Sequence, residues 1–392
     1  MKTGIIIGNA GSPSAPTAEA VRDYLASFLV DRRIRPLPQP IWHLLLHGII
    51  LPRRPVKSAL RYKRIWQPAG SPLVIAQDRL ASLLQESFAR SADDADAAND
   101  TDTEVIVHSA MCYGAPSMTD ALRALKDKGC KRIILLPLYP QSAYSSTYSV
   151  IDAFEQAIDA LHWPDADNIQ VVKRYADRPR YLDAIAGSIQ KAGFGDRSDD
   201  KLLISLHAIP LKDERNGDSY RAQIHQMVEH IAERLEIDAD DITLGFQSVF
   251  GPHKASWTTP LSTDILKKWH DEGLTSRVFF ICPGFALDCL ETLHDIPREM
   301  MALLEFGATA DDLEVPAAAG DTAAEAALAA IDEAQRRMVE TTETLSLAGD
   351  EARFKGVRCL GPSPEEVALL HEVVLDALNL FKRVGKEGSD VN

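Results

Sequence analysis

The sequence predicts an α/β protein of two doubly wound units, each a parallel sheet flanked by helices, the two facing each other across a cleft. Three observations carry that expectation. Short β-branched apolar runs recur along the chain, helical patterns separate them, and 392 residues are more than one ordinary core fills.

The runs, in order, are "GIIIG" (4–8), "EVIVHSAM" (104–111), "RIILLPL" (132–138), "IQVVKRY" (169–175), "LLISLH" (202–207), "ITLGFQS" (242–248) and "RVFFICP" (277–283). They are apolar on both faces, as strands buried between helix layers are, and stretches such as "AEAVRDYLASFL" and "SYRAQIHQMVEHIAERL" carry the helical period between them. Three runs fall before about residue 166 and four after it. This places one domain at 1–166 and a second at 167–362, with a final helix at 363–385 packing back on the first. Ser363 as N-cap and Pro364 at the first helical position start that helix.

Charge is distributed unevenly. The stretch 91–104 contributes −6 and Asp311 to Glu351 contributes −9, which together equal the whole net charge of −15. A neutral body with two acidic, Ala-rich segments argues against a nucleic-acid partner, which would need a basic face. Both segments read as surface insertions, and the second, at about 307–352, carries a polar, exposed helix. Five scattered cysteines without a CxxC pair fit a reducing cytoplasm and supply no ligand knot for an iron–sulfur cluster. The N-terminus does not read as a signal peptide, and no stretch reaches the ~18 apolar residues of a membrane span.

In doubly wound folds ligands bind at the carboxyl ends of strands, and the unusual residues fall there. "GNAGSP" (8–13) reads as a tight strand-to-helix turn in preference to a phosphate loop. "LPLYPQSAYSSTYS" (136–149) places Tyr139, Tyr144 and Tyr148, among small hydroxyl residues such as Ser145, either on a surface turn or against a planar, carboxylate-bearing ligand. His207 ends a buried strand, as a structural residue or as a proton acceptor. Asp288 and Glu291, three apart in "CPGFALDCLETLHDI", are expected to share one helix face and to pass a proton between them. Cys282 and Cys289 in the same stretch make a weak zinc pair. The amphipathic segment 38–55 reads equally as a core helix and as a lip touching a bilayer.

In this order the clusters resemble the ferrochelatases, which insert ferrous iron into a porphyrin. The resemblance runs from "NAGSPSAPTAEAVRDYLASFLVDRRI" through "GSPL", "MCYGAPS", "LPLYPQ", "GDSY", "FQSVFGP" and "CPGFALDCLETL" to "KGVRCLGPSPEEVALL", and "DRRI", "GIILPRRP" and "CPGF" look bacterial. It implies two Rossmann-like domains with the porphyrin in a cleft between them. It also implies that His207 is the essential histidine, Glu291 its acidic partner across the cleft, and Asp288 a carboxylate behind that glutamate. His207 and Glu291 would be the groups that touch the metal. Tyr113, Trp257 and Phe285 match pocket-wall positions, and Arg32 an arginine near the propionates.

The implied function is insertion of ferrous iron into a dicarboxylate porphyrin, protoporphyrin IX first, as the last step of haem formation. The alternatives are a non-catalytic porphyrin- or haem-binding relative and a chelatase for another tetrapyrrole or metal. Iron enters as substrate, with no tightly bound cofactor and no iron–sulfur cluster expected. The expected state is a cytoplasmic monomer or homodimer with peripheral membrane contact through 38–55.

Overall fold

The computed structural model describes residues 2–94, 104–163, 168–249, 254–341, 344–349 and 352–387. The 91–104 acidic stretch lies mostly outside them, as do the expected boundary at residue 166 and the last three residues of "FQSVFGP", which include Gly251 and Pro252. The chain forms two compact units, one of residues 1–60, 67–181 and 361–392, the other of residues 61–66 and 182–360.

In the first unit β1 (Lys2–Asn9), β2 (Glu104–Met111), β3 (Arg132–Pro137) and β4 (Ile169–Val171) form a parallel sheet in the order β2-β1-β3-β4. Ile5, Ile6 and Ile7 on its central β1 are fully buried. That is why "GIIIG" shows no polar alternation. Helices Met118–Asp127 and Thr147–Ala160 close one face, with Leu122, Leu125, Val150 and Phe154 against Ile6, Ile133 and Leu135. Gly8 allows that approach, since a Cβ there would lie 2.6 Å from Val150 Cγ1. Helix Pro364–Glu387 belongs to this unit, where its His371 ring stacks on Phe88 of helix Pro72–Asp94 at 4.1 Å.

The 169–175 run, grouped by sequence with the later strands, instead pairs with β3, Ile133 opposite Ile169. Only three residues join the ladder before the chain turns so that Tyr175 and Ala176 donate to the Pro140 carbonyl. A run this short carries no mark of the sheet it will join, and the change of unit comes after Tyr181.

In the second unit β5 (Lys201–His207), β6 (Ile242–Gln247), β7 (Val278–Ile281) and β8 (Phe354–Val357) are parallel in the order β6-β5-β7-β8. The edge strand β8 was not foreseen. Its four residues, "FKGV", mix a charge and a glycine with two apolar groups and are too few to show a period.

The segment from about 307 folds into helices Ala310–Ala318 and Thr322–Glu340. The expectation of an exposed helix is corrected here, because Ala324, Ala327, Ile331, Ala334 and Met338 form a buried stripe on the second helix. Part of the acidic charge is capping: Thr309 and Asp312 make a capping box, and Asp321 accepts from Ala323 and Ala324 N–H.

Segment 38–55 divides by face. Helix Gln39–Leu45, a π-turn Leu46–Ile50 and helix Leu51–Ile65 bury Trp42, Leu46 and Leu51, while Leu44 and Ile41 stay 75% and 58% exposed. Among the described residues no helix is long and apolar enough to cross a membrane.

Candidate functional site

His207 is the last residue of β5, half-buried, at the carboxyl edge of the second sheet. Its Nδ1 lies 2.7 Å from the Ala208 carbonyl, which can only accept, so Nδ1 carries a proton and, in the neutral ring, Nε2 has the lone pair. The residues after it are fixed by a short antiparallel zip. Ile209 N–H donates to Thr258 Oγ1 at 3.1 Å, Thr258 N–H donates back to the Ile209 carbonyl at 3.0 Å, and Trp257 is bridged to Pro210. That bridge brings half-buried Trp257 alongside the segment that follows His207.

Glu291 arrives from the neighbouring strand. After β7 the chain turns through Phe285, whose N–H donates to the Cys282 carbonyl, and enters a π-helix, Glu291–Met301. The Glu291 carboxylate accepts from Ser248 Oγ at 2.9 Å. Ser248 follows β6 in a left-handed conformation, φ 65°, a costly place for a residue with a Cβ and one often kept at functional sites.

Tyr220 ties the two together. Its buried hydroxyl bonds to the His207 backbone, and burial, then the nearby Asp218, Cys282 and Glu291, push its pKa up and keep it protonated. His207 and Glu291 thus belong to one neighbourhood of one unit, rather than to opposite units.

The expected shared helix face of Asp288 and Glu291 is corrected. Asp288 lies in the turn before the π-helix. One of its oxygens takes Arg358 Nε and Nη2 at 2.8 and 2.7 Å, and the other takes Thr292 Oγ1 at 2.9 Å. With both oxygens engaged, Asp288 is built to hold position. The neighbouring Cys282 and Cys289 thiols are pushed up by burial and then by Glu291, which keeps them protonated.

Behind Glu291 the π-helix repeats the carboxylate every fourth residue, at Asp295 and Glu299. Asp295 accepts from His294 Nδ1 at 2.8 Å and pairs with Arg61 at 3.5 Å. Burial, then the Asp295 charge, push Glu299 up to about 7, with Arg61 opposing and Glu291 adding a smaller upward push.

In the first unit the marked residues also gather at strand ends. The Tyr139 hydroxyl donates to Asn9 Oδ1 at 3.1 Å and accepts from Ala10 N–H at 3.2 Å, which fastens the "YPQ" turn to the end of β1. Tyr113 is buried, its hydroxyl donating to Asp31 and its ring edge-on to Phe28 at 5.2 Å. Tyr144 stands edge-on to Tyr148 at 5.5 Å, and half-buried Ser145 accepts Ser149 Oγ on its carbonyl. Arg32 and Arg33 both close on Asp152, at 2.8 and 2.7 Å. Burial alone would raise the Asp152 carboxyl, but the two guanidiniums, Arg33 foremost, outweigh it and hold it below the usual range. Arg33 and Lys173 also lie over the Tyr148 ring, at 5.1 and 5.6 Å.

A family model described as Ferrochelatase matches residues 2–336. The chain belongs to the ferrochelatase family. A ferrochelatase of Aromatoleum aromaticum is 42% identical over 298 residues, covering 76% of this chain and 78% of the relative. One of an Azoarcus species is 39% identical over 301 residues, covering 77% and 78%. Among solved structures, SirB from Bacillus subtilis with Fe3+ aligns with a TM-score of 0.38 at 12% identity, over 54% of this chain and 72% of that one. The α/β assignment rests on the two parallel sheets themselves.

The ferrochelatase match spans every residue expected at the site, whereas Arg358 lies past its end. Sequence reasoning missed Ser248, Tyr220, Asp295, Glu299 and Arg358. A signal existed for two of them: "ETLHDIPRE" places acids at 291, 295 and 299, a period that follows one side of a helix. Nothing local marked Ser248 or Arg358, whose partners lie 43 and 70 positions away.

Proposed function

We propose that His207 and Glu291 carry the insertion of ferrous iron into a dicarboxylate porphyrin, His207 as proton acceptor and Glu291 as the oxygen ligand that hands over the metal. The family's reaction, insertion of iron into a porphyrin in haem synthesis, sets the demands. Two pyrrole N–H protons must leave, the ring must bend so that a nitrogen lone pair faces the metal, and iron must be held briefly and released. Nε2 of His207, left with its lone pair by the Nδ1 bond to Ala208, is oriented to take a proton. That single observation carries the assignment.

Glu291 is held by Ser248 at the head of the carboxylate row. An oxygen donor suits ferrous iron, and a small ligand set permits release. Glu299, with a pKa of about 7, exchanges protons near neutral pH and suits the far end of a path away from the site. Trp257 and Phe285 would supply apolar wall, and a wall fitted to the bent ring raises the rate where one fitted to the flat ring would only bind it. In the first unit Arg32 and Arg33 close on Asp152, and Arg33 and Lys173 share the Tyr148 ring; positive groups of this kind suit substrate carboxylates, with Tyr139, Tyr144 and Ser145 nearby in sequence.

The same reading assigns the exposed face of 37–60 to an anionic bilayer surface. Leu37, Ile41, Leu44, Ile49, Val56 and Leu60 are all exposed there. Between Asp31 and Asp78 the chain carries nine Lys and Arg and no acid, against −15 overall. Apolar side chains interspersed in sequence with Arg35, Arg53, Arg54 and Lys57 match headgroup charge and acyl surface together.

The test is insertion of iron, zinc and cobalt into a dicarboxylate and a tetracarboxylate porphyrin by the parent and by His207→Ala. The expected result is dicarboxylate-selective iron insertion, abolished in the variant while porphyrin binding persists. Normal turnover by His207→Ala overturns the assignment, and binding without insertion by the parent would make the chain a porphyrin carrier.

A further inference from the structure

The acid-rich segment after residue 307 is absent from the chemistry so far, yet its side chains grip the helix that carries Glu291. Arg298 on the π-helix is 3% exposed and reaches Asp332 at 2.5 Å and Glu314 at 3.1 Å, one acid on each helix of the segment. Gln335 Nε2 donates to the Leu293 carbonyl at 2.9 Å, filling an acceptor inside the first turn of the π-helix. The segment also reaches the site from the other end. Arg358, just past β8, donates one nitrogen to the carbonyls of Met338 and Thr341, the latter at 3.0 Å, and its other two to Asp288.

Those carbonyls end helix Thr322–Glu340, where the negative end of the helix dipole favours a guanidinium. Asp288 in turn accepts Thr292 Oγ1, and Thr292 Oγ1 accepts Cys289 N–H at 2.9 Å. Residues 288–292 are therefore clamped on both sides of Glu291.

We propose that Arg358 is a positioning residue for the metal-handling carboxylate, and that the helical pair Ala310–Ala318 and Thr322–Glu340 is the brace that holds it. The chain of contacts runs from the end of the brace through Arg358 to Asp288, then through Thr292 to the turn that aims Glu291. The rigid guanidinium fork suits this work better than an ammonium would, because two partners in different directions must be held at once. An outer group that orients a metal-contacting one is worth about ten- to a hundredfold in metal affinity or activity, which sets the expected scale. The inference rests on the reading of Glu291 as the residue that handles iron.

The test compares Arg358→Lys, Arg358→Ala, Asp288→Asn and the double variant Arg358→Ala with Asp288→Asn in the full-length protein. The readouts are kcat and separate KM values for iron and porphyrin, with circular dichroism to confirm folding. Arg358→Lys should fold, raise the iron KM about tenfold and leave the porphyrin KM within about twofold. The double variant should be no worse than Arg358→Ala alone, since both act through one link. An unchanged iron KM in folded Arg358→Lys and Asp288→Asn, or equal changes in both KM values, overturns the proposal. Glu291→Gln separates the two readings: if it inserts iron normally, the role of Glu291 fails. If it is inactive while Arg358→Lys is normal, only the positioning role fails.

Discussion

Ser248 donates its hydroxyl to Glu291 at 2.9 Å from a backbone turned to φ 65°. The conformation is unfavourable for serine and free for glycine, so the residue is held there by what its side chain does. Ser248→Gly should therefore separate the two contributions. We expect thermal stability to stay level or rise slightly, while kcat/KM for iron falls on the order of fivefold for the lost bond to a carboxylate. Steady-state kinetics beside a melting curve checks this, and a loss of stability with full activity would reverse the assignment.

Glu299 predicts a pH-dependent trade. Its carboxyl ordinarily ionises at 4.5 and in the folded protein at about 7, so the folded state keeps a proton that the unfolded chain has released. The stability it contributes is thus lost as pH climbs from 4.5 through about 7. Glu299→Gln should melt higher than the parent at pH 8 and equally at pH 4.5. If Glu299 also relays protons, the limb of the turnover profile near neutrality should flatten in the same variant.

Glu366 offers the same sign with no chemistry attached. It lies in the first turn of helix Pro364–Glu387, 0% exposed, and neither carboxylate oxygen has a hydrogen-bond partner among the described residues. Burial pushes it up to about 8. Glu366→Gln should raise the melting temperature by a few degrees, on the order of 3 °C, at pH 9 and hardly at pH 5, without touching kcat at either. Calorimetry across that range decides it.

The exposed apolar face predicts lipid binding that depends on charge. Leu44→Glu with Ile41→Glu should release the protein from phosphatidylserine vesicles in co-sedimentation, and 0.5 M salt should weaken the parent's binding without abolishing it. Trp42 is the control to avoid, because it is buried and its indole donates to the Leu29 carbonyl at 2.5 Å. Equal sedimentation of variant and parent would remove the membrane assignment.

The two sheets were legible because strands buried on both faces leave unbroken apolar runs, and six of the seven runs fell in the expected group. Ile169–Val171 did not, since three residues contain no information about which edge they complete. His207 was legible because it ends such a run, and Glu291 because one acid in an apolar stretch asks for an explanation. The shared helix face of Asp288 and Glu291 was misread, because a spacing of three implies a shared face only where a helix exists, and the helix starts later. The brace was hidden by composition: Ala-rich, acidic sequence looks solvated, and a stripe of alanines that buries itself differs from one that does not only in what it meets.

The route of the chain has a consequence for biosynthesis. The second unit is complete once residue 360 has emerged from the ribosome, whereas the first still lacks the helix beginning at Pro364. The first unit, which includes residues 2–60, therefore cannot be completed before that helix is made. A stop codon just before Pro364 should injure a sheet whose central strand was made about 350 residues earlier.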